Sequence, residues 1–220
     1  ADHPIGWVCG RTWGSDEAIW LPSLAVHLNH EAADAGEFIC PVTSNGLACG
    51  GSAEHALLKA ALELVERDAF MLMWLLQVPP QPLSTDGLPD VQLQDLVTAY
   101  ARRGVRFELY RLRHGLALPV VMALSLDDSG HGPAVVVGLG AALDLTQAAR
   151  SAILEVAQVR PALRIRMRSP QARQRIDALL ADPMAVDDLE DHDLLYAAPS
   201  MLPHVDFIRR QPASATDWPA

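Results

Sequence analysis

Glu63, Glu66 and Arg67 are the residues of this chain whose types and spacing could hold a phosphate-bound cation. Glu63 and Glu66 stand three apart, so on a helix they share a face. There, two hard carboxylate oxygens can approach one Mg2+ that also takes oxygens from a phosphate chain. The guanidinium beside them could balance phosphate charge or lock Glu63 in place. Plainer chemistry fits the same spacing: Lys59, Glu63 and Arg67 are each four apart, as in ordinary surface ion pairs. Farther along, Ser151, Glu155 and Gln158 form a polar stripe at i, i+4 and i+7 among alanines. For Glu155 the competing reading is an ion pair with Arg150 or Arg160, with Gln158 merely facing water.

Positioning these residues requires two helices. Thr43 to Ser52 is a glycine-rich turn, in which Asn45-Gly46 and Gly50-Gly51 are expected to supply positive φ angles. Ser52 stands at a helix N-cap, with Glu54 in the first turn to complement the dipole. A turn that runs into a free helix N-terminus is a natural anion site. From Ala53 to Gln77 there is no Gly or Pro, and Leu58, Leu62, Val65, Ala69, Leu72 and Leu76 recur at helical spacing. This predicts one amphipathic helix with its apolar face in the core. The second stripe lies on a helix predicted from Asp144 to Leu163.

Two blocks carry a resemblance. Ser44-Asn-Gly-Leu-Ala-x-Gly-Gly-Ser52 followed by Leu62-Glu-Leu-Val-Glu-Arg-Asp-Ala69 is similar, without gaps, to the central signature of the YcaO domain family. Gly138 to Gln158 resembles the family's later segment, in which a helix presents Glu and Gln to the nucleotide and metal, here Glu155 and Gln158. The resemblance implies an enzyme using ATP and Mg2+ to activate a backbone amide oxygen by phosphorylation. Most often such enzymes convert Cys, Ser or Thr of a ribosomal peptide into an azoline, and thioamide and amidine formation use the same ATP chemistry. The nucleotide-binding set it implies is Glu63, Glu66, Arg67, Glu155, Gln158, Ser44 and Asn45, with Glu63, Glu66 and Glu155 as metal ligands. No residue is assigned a catalytic role.

Implied partners are a peptide substrate and a leader-peptide-binding protein, with a homodimer left open. The resemblance runs from about Trp7 to Arg210. An earlier Ser-x-x-x-Glu-x-x-Glu-Arg motif and a Pro-x-Pro-x-Pro end, both part of the family pattern, have no match, so the chain reads as the central part of such a domain. A degenerate relative that scaffolds a peptide or catalytic subunit without ATP turnover is the second reading, and a structural α/β domain the third. Gly138-x-Gly140 lacks the third glycine of a dinucleotide site, and Gly-Lys-Ser/Thr is absent, so neither a Rossmann nor a P-loop site is expected.

At 220 residues and 50% hydrophobic, the chain can bury a sizeable core within a single domain. Its net charge of −10 argues against a nucleic-acid footprint. The one basic run, Arg160 to Arg168, is expected to be the exposed end of its helix, complementing the dipole. With no apolar run of transmembrane length and no leader, a soluble cytoplasmic protein without a membrane partner is expected. Cys9, Cys40 and Cys49 have no ligand spacing, which fits a reducing compartment and no structural zinc; Cys49 is read as a small packed residue. His27 and His30 are expected to be a surface pair rather than a metal site.

The fold class expected is α+β (mixed α/β), with mixed sheets and long packed helices. Strands are predicted at 5–9, 18–27, 105–112, 118–126 and 134–138, with a turn over Asp127 to Gly132. Further helices are predicted at 91–102 and, behind Ser169-Pro170, to Leu180. The acidic run Asp187 to Asp193 is expected to be a solvated loop.

Overall fold

A computed structural model describes residues 4–28, 30–31, 35–40 and 43–210. The chain divides into two units, residues 1–60 and 61–220.

In the first unit, β1 (Trp7–Arg11) and β2 (Ala18–Pro22) form an antiparallel hairpin. The expected strand through His27 stops at Pro22, and Ser23 to Val26 wind into a short helix, α1. The Ser23 N–H still bonds the Gly6 carbonyl at 2.8 Å, one pair beyond the Trp7–Pro22 end of the ladder. In the glycine-rich turn only Gly46 takes a positive φ, 78°; Asn45, Gly50 and Gly51 do not. Gly50 serves a different purpose, since a Cβ there would sit 2.7 Å from the Ala56 nitrogen. Ser52 caps the next helix as expected, its Oγ accepting from the His55 N–H at 3.2 Å. Cys49 is exposed, so it is not a packed residue; His30 is half-buried and bonds the buried Glu37 at 3.0 Å.

Helix α2 spans Ala53–Leu76. In the second unit, β3 (Gln81–Leu83), β4 (Arg106–Arg111), β5 (Val120–Leu126) and β6 (Val135–Ala141) form one antiparallel sheet in that order. Around it lie α3 (Val91–Ala101), α4 (Leu145–Arg166), α5 (Pro170–Ala181), α6 (Leu189–Tyr196) and a 3-10 stretch over Pro199–Arg209. This is the mixed α/β class expected. Side-chain caps start each of these α-helices: Asp90 for α3, Asp144 for α4, Ser169 for α5 and Asp188 for α6.

Every residue of β5 is buried, because the sheet is covered on both faces. Val121 and Ala123 face Ala152, Ile153 and Val156 of α4. Met122 and Leu124 face Ala69 and Met73 of α2 together with Phe207 and Ile208 of the 3-10 stretch. Only Ala69 and Met73 of α2 are buried, and Leu72 and Leu76 are 43% and 67% exposed, against the expected core-facing stripe. Helical periodicity states which side chains share a face; how much of that face finds a partner is decided elsewhere in the chain.

β6 runs three residues past its predicted end, through Gly138-Leu-Gly140. These glycines do not break the strand. They make room for α4, since a Cβ on Gly138 would lie 2.3 Å from the Ala152 carbonyl and one on Gly140 2.1 Å from that of Ala148. The acidic run is likewise ordered rather than a solvated loop. Asp188 caps α6 by accepting from the Asp191 N–H at 2.8 Å, and buried Asp191 takes the Arg175 Nε at 2.8 Å. Among the described residues, no helix is long and apolar enough to cross a membrane.

Candidate functional site

β6 is the edge of its sheet, pairing only with β5, so its outward N–H groups need other partners. Two carboxylates approach them. Glu155, on α4, accepts from the Leu139 N–H, and Glu66, on α2, lies within the influence of the Ala141 amide. Leu139 and Ala141 are two apart, so both donors point off the same edge. Helices packed on opposite faces of the sheet thereby bring a carboxylate each to one short stretch of backbone.

The electrostatics confirm the convergence. Burial pushes the Glu66 carboxyl from an ordinary 4.5 up to about 7; the Arg67 charge opposes this, and the negative charges of Glu155 and Glu63 add to it. Arg67 Nη2 lies 3.5 Å from Glu66 Oε1, while its Nε is buried without a hydrogen-bond partner. Glu63, Glu66, Arg67 and Glu155 thus form one cluster.

Several ion pairs considered from spacing are not formed. Among the described residues, Arg67 pairs with its neighbour Glu66, and no ion pair joins Glu63 to Lys59 or Arg67. Glu155 takes neither Arg150 nor Arg160, because Arg150 bonds Asp90 on the cap of α3 and Arg160 is buried against Asp127. Arg160 is therefore not part of an exposed basic tail. Gln158 is exposed and makes no side-chain hydrogen bond among the described residues. Ser44 and Asn45 are exposed in the first unit. Motif reading passed over the Leu139 and Ala141 amides, although a Gly-x-Gly run on a strand does signal close backbone approach.

Three carboxylates with one arginine leave the cluster short of positive charge, which adds to the burial that raises Glu66. Among the described residues no three His, Cys, Asp or Glu side chains converge tightly enough to hold a metal ion alone. Hard oxygen donors lacking a full cage suit Mg2+, which is usually held by one or two carboxylates plus substrate phosphates. The unbonded Arg67 Nε is a donor lacking an acceptor, and a phosphate oxygen would serve. The residues present fit a Mg2+-bound nucleoside triphosphate.

Because Glu66 binds its proton more tightly folded than unfolded, the ligand-free protein should lose stability as pH rises from 4.5 to about 7. For a side chain 13% exposed the loss should reach roughly 3 kcal/mol above that range. Urea unfolding at about pH 5 and about pH 8 measures it, and Glu66→Gln should remove most of the difference. An equal pH dependence in the variant would assign the slope to other groups.

Comparisons with known proteins agree with this chemistry. The family described as YcaO cyclodehydratase, ATP- and Mg2+-binding, matches residues 1–219. An uncharacterised protein from the tfuA 3' region of Rhizobium leguminosarum bv. trifolii is 29% identical over 199 residues, 84% of this chain and 46% of that protein. A heterocyclase solved in complex with substrate and cofactor has a TM-score of 0.71 at 20% identity, over 98% of this chain and 27% of its own. YcaO from Methanopyrus kandleri, solved with AMPPCP and Mg2+, has a TM-score of 0.60 at 30% identity, over 74% of this chain and 42% of its own. The chain spans 41% and 46% of the curated relatives it matches. With a match over nearly its whole length to a family that binds ATP and Mg2+, and a carboxylate cluster suited to both, the chain belongs to the YcaO cyclodehydratase family.

Proposed function

We propose that this chain supplies the carboxylate cluster of an enzyme that uses ATP and Mg2+ to phosphorylate a peptide backbone amide oxygen, driving cyclodehydration of Cys, Ser or Thr to azolines in ribosomal peptide biosynthesis. The observation that carries the reading is the convergence of Glu155, held on the Leu139 amide, and Glu66, near the Ala141 amide, beside the unbonded Arg67 Nε. Bound ATP would supply the phosphoryl group that turns the amide oxygen into a leaving group. This chain's own residues orient it: Glu66, Glu155 and Glu63 hold the cation, and Arg67 neutralises phosphate charge. The Leu139 N–H of β6 fixes Glu155 before anything binds, so little reorganisation is needed there.

A peptide substrate follows from this reading and is supported by the heterocyclase solved with its substrate. A leader-peptide-binding protein and a homodimer belong to the same proposal. The competing reading, a scaffold subunit without ATP turnover, draws on the lack of a self-sufficient metal cage among the described residues.

The deciding assay is phosphate release by the intact protein with a Cys-, Ser- and Thr-containing precursor peptide, alongside mass spectrometry for loss of one water per ring. Peptide-stimulated, Mg2+-dependent release with matching water loss is expected. Residues 1–220 alone should turn over ATP much more slowly than the intact protein, because the earlier Ser-x-x-x-Glu-x-x-Glu-Arg motif, which supplies further nucleotide and metal ligands in the family pattern, has no match among them. Absence of nucleotide binding by the intact protein would select the scaffold reading.

A further inference from the structure

We infer that Arg160 is a positioning residue for Glu155, setting the register of α4 along β6. Its guanidinium is among the few buried charges of the described residues, with side-chain exposures of 5% for Arg160 and 6% for its partner Asp127. Nη2 donates to Asp127 Oδ2 at 2.5 Å, while Nη1 donates to the Pro133 carbonyl at 2.8 Å and to Ser125 Oγ at 3.3 Å. Asp127 is itself held, its Oδ1 accepting from the Ser129 N–H at 2.9 Å. Gly132 leaves room for the pair, since a Cβ there would lie 3.0 Å from Asp127 Oδ2 and 3.1 Å from Arg160 Nη2. All of these partners belong to the end of β5 and the turn into β6.

Register needs such a device here. α4 runs antiparallel to β6, with Gly140 against Ala148 and Gly138 against Ala152 and Val156. That contact seats α4 on Gly138 and Gly140, but it is apolar and non-directional and does not by itself fix the rotation of the helix. Glu155, by contrast, tolerates no slip, because its partner is one particular amide, Leu139 N–H. Arg160, five residues further along α4, ties the helix to Pro133, six residues before Leu139 in the strand direction. The two attachments hold α4 at separate points, one beside Gly138 and Gly140 and one on the turn before β6. A planar fork with fixed donor directions sets both the axial position and the rotation of α4, which a point-charge ammonium cannot do.

The test is Arg160→Lys in the intact protein, with Leu93→Ala, a buried α3 change, as a control of matched thermal destabilisation. In Arg160→Lys the Leu139 amide should exchange with solvent about tenfold faster, its bond to Glu155 being one that opens locally, while the control leaves it unchanged. Ser125→Ala keeps the Asp127 pair, should move the same amide by a smaller factor, and carries the test if Arg160→Lys does not fold. The consequence for the cation rests on the proposed function: affinity for a Mg2+-bound non-hydrolysable ATP analogue should fall about ten- to a hundredfold in Arg160→Lys and not in the control. Leu139 exchange no faster in either Arg160→Lys or Ser125→Ala than in the control overturns the inference. Failure of the unmodified protein to bind the analogue would overturn the proposed function instead, and the Leu139 readout still decides the role of Arg160.

Discussion

Replacing Glu155 by Gln should lower the affinity for Mg2+–ATP by about a hundredfold or more, with at most a small change in thermal stability. The amide oxygen of Gln can still accept from the Leu139 N–H, so the tie between α4 and β6 survives while the charge is lost. Glu66→Gln should weaken the nucleotide similarly, but with the opposite sign on the fold. At pH above about 7 the wild-type carboxylate is ionised against its burial and against Glu155 and Glu63, and the neutral amide relieves that cost. A variant that is more stable yet binds less is the mark of charge held for a ligand. Calorimetric titration with Mg2+–ATP, paired with thermal unfolding at about pH 8, measures both quantities. Wild-type affinity in both variants would remove the carboxylates from the nucleotide site.

Gly140→Ala should destabilise the protein by about 3 kcal/mol or more, the upper range for overpacking. The new methyl would lie 2.1 Å from the Ala148 carbonyl oxygen and 2.8 Å from the Ala152 nitrogen. These neighbours are helix backbone, which cannot rotate away as a side chain can, so α4 would have to lift from β6. Gly138→Ala meets the Ala152 carbonyl at 2.3 Å and should behave alike. Gly51→Ala is the control, with nothing within 4 Å of its added carbon and no positive φ to strain. At roughly 2–4 °C per kcal/mol for a chain of this size, Gly140→Ala should lower Tm by about 6–12 °C and Gly51→Ala by little. A Gly140→Ala variant melting with the wild type would mean that α4 does not lie on the strand at this distance. Because the same contact delivers Glu155 to Leu139, lifting α4 should also weaken nucleotide binding.

Much of the machinery was legible in sequence because its signals are local. Ser52 and Ser169 cap helices where they were expected to, and Asp90 and Asp144 cap two more at their expected starts, since a cap is satisfied by N–H groups two or three residues away. The candidate residues Glu63, Glu66, Arg67 and Glu155 stood out by spacing and by their resemblance to a family signature. What spacing could not decide was their partners. Glu155 has an arginine five residues to either side and bonds neither, because Arg150 is taken by Asp90 and Arg160 by Asp127, residues brought in by the fold. The glycines of β6 look like the end of a strand, and only the helix lying across them shows why a strand needs them there. The acidic run of 187–193 looked solvated until Arg175 folded back onto Asp191. By itself the sequence determined the four longest helices, α2 to α5, and which of their polar residues share a face, because these depend on neighbours within a turn or two. Only the tertiary structure decided which carboxylates meet at the β6 edge and which charges are buried, because those contacts join residues far apart in the chain and depend on how helices and sheet pack.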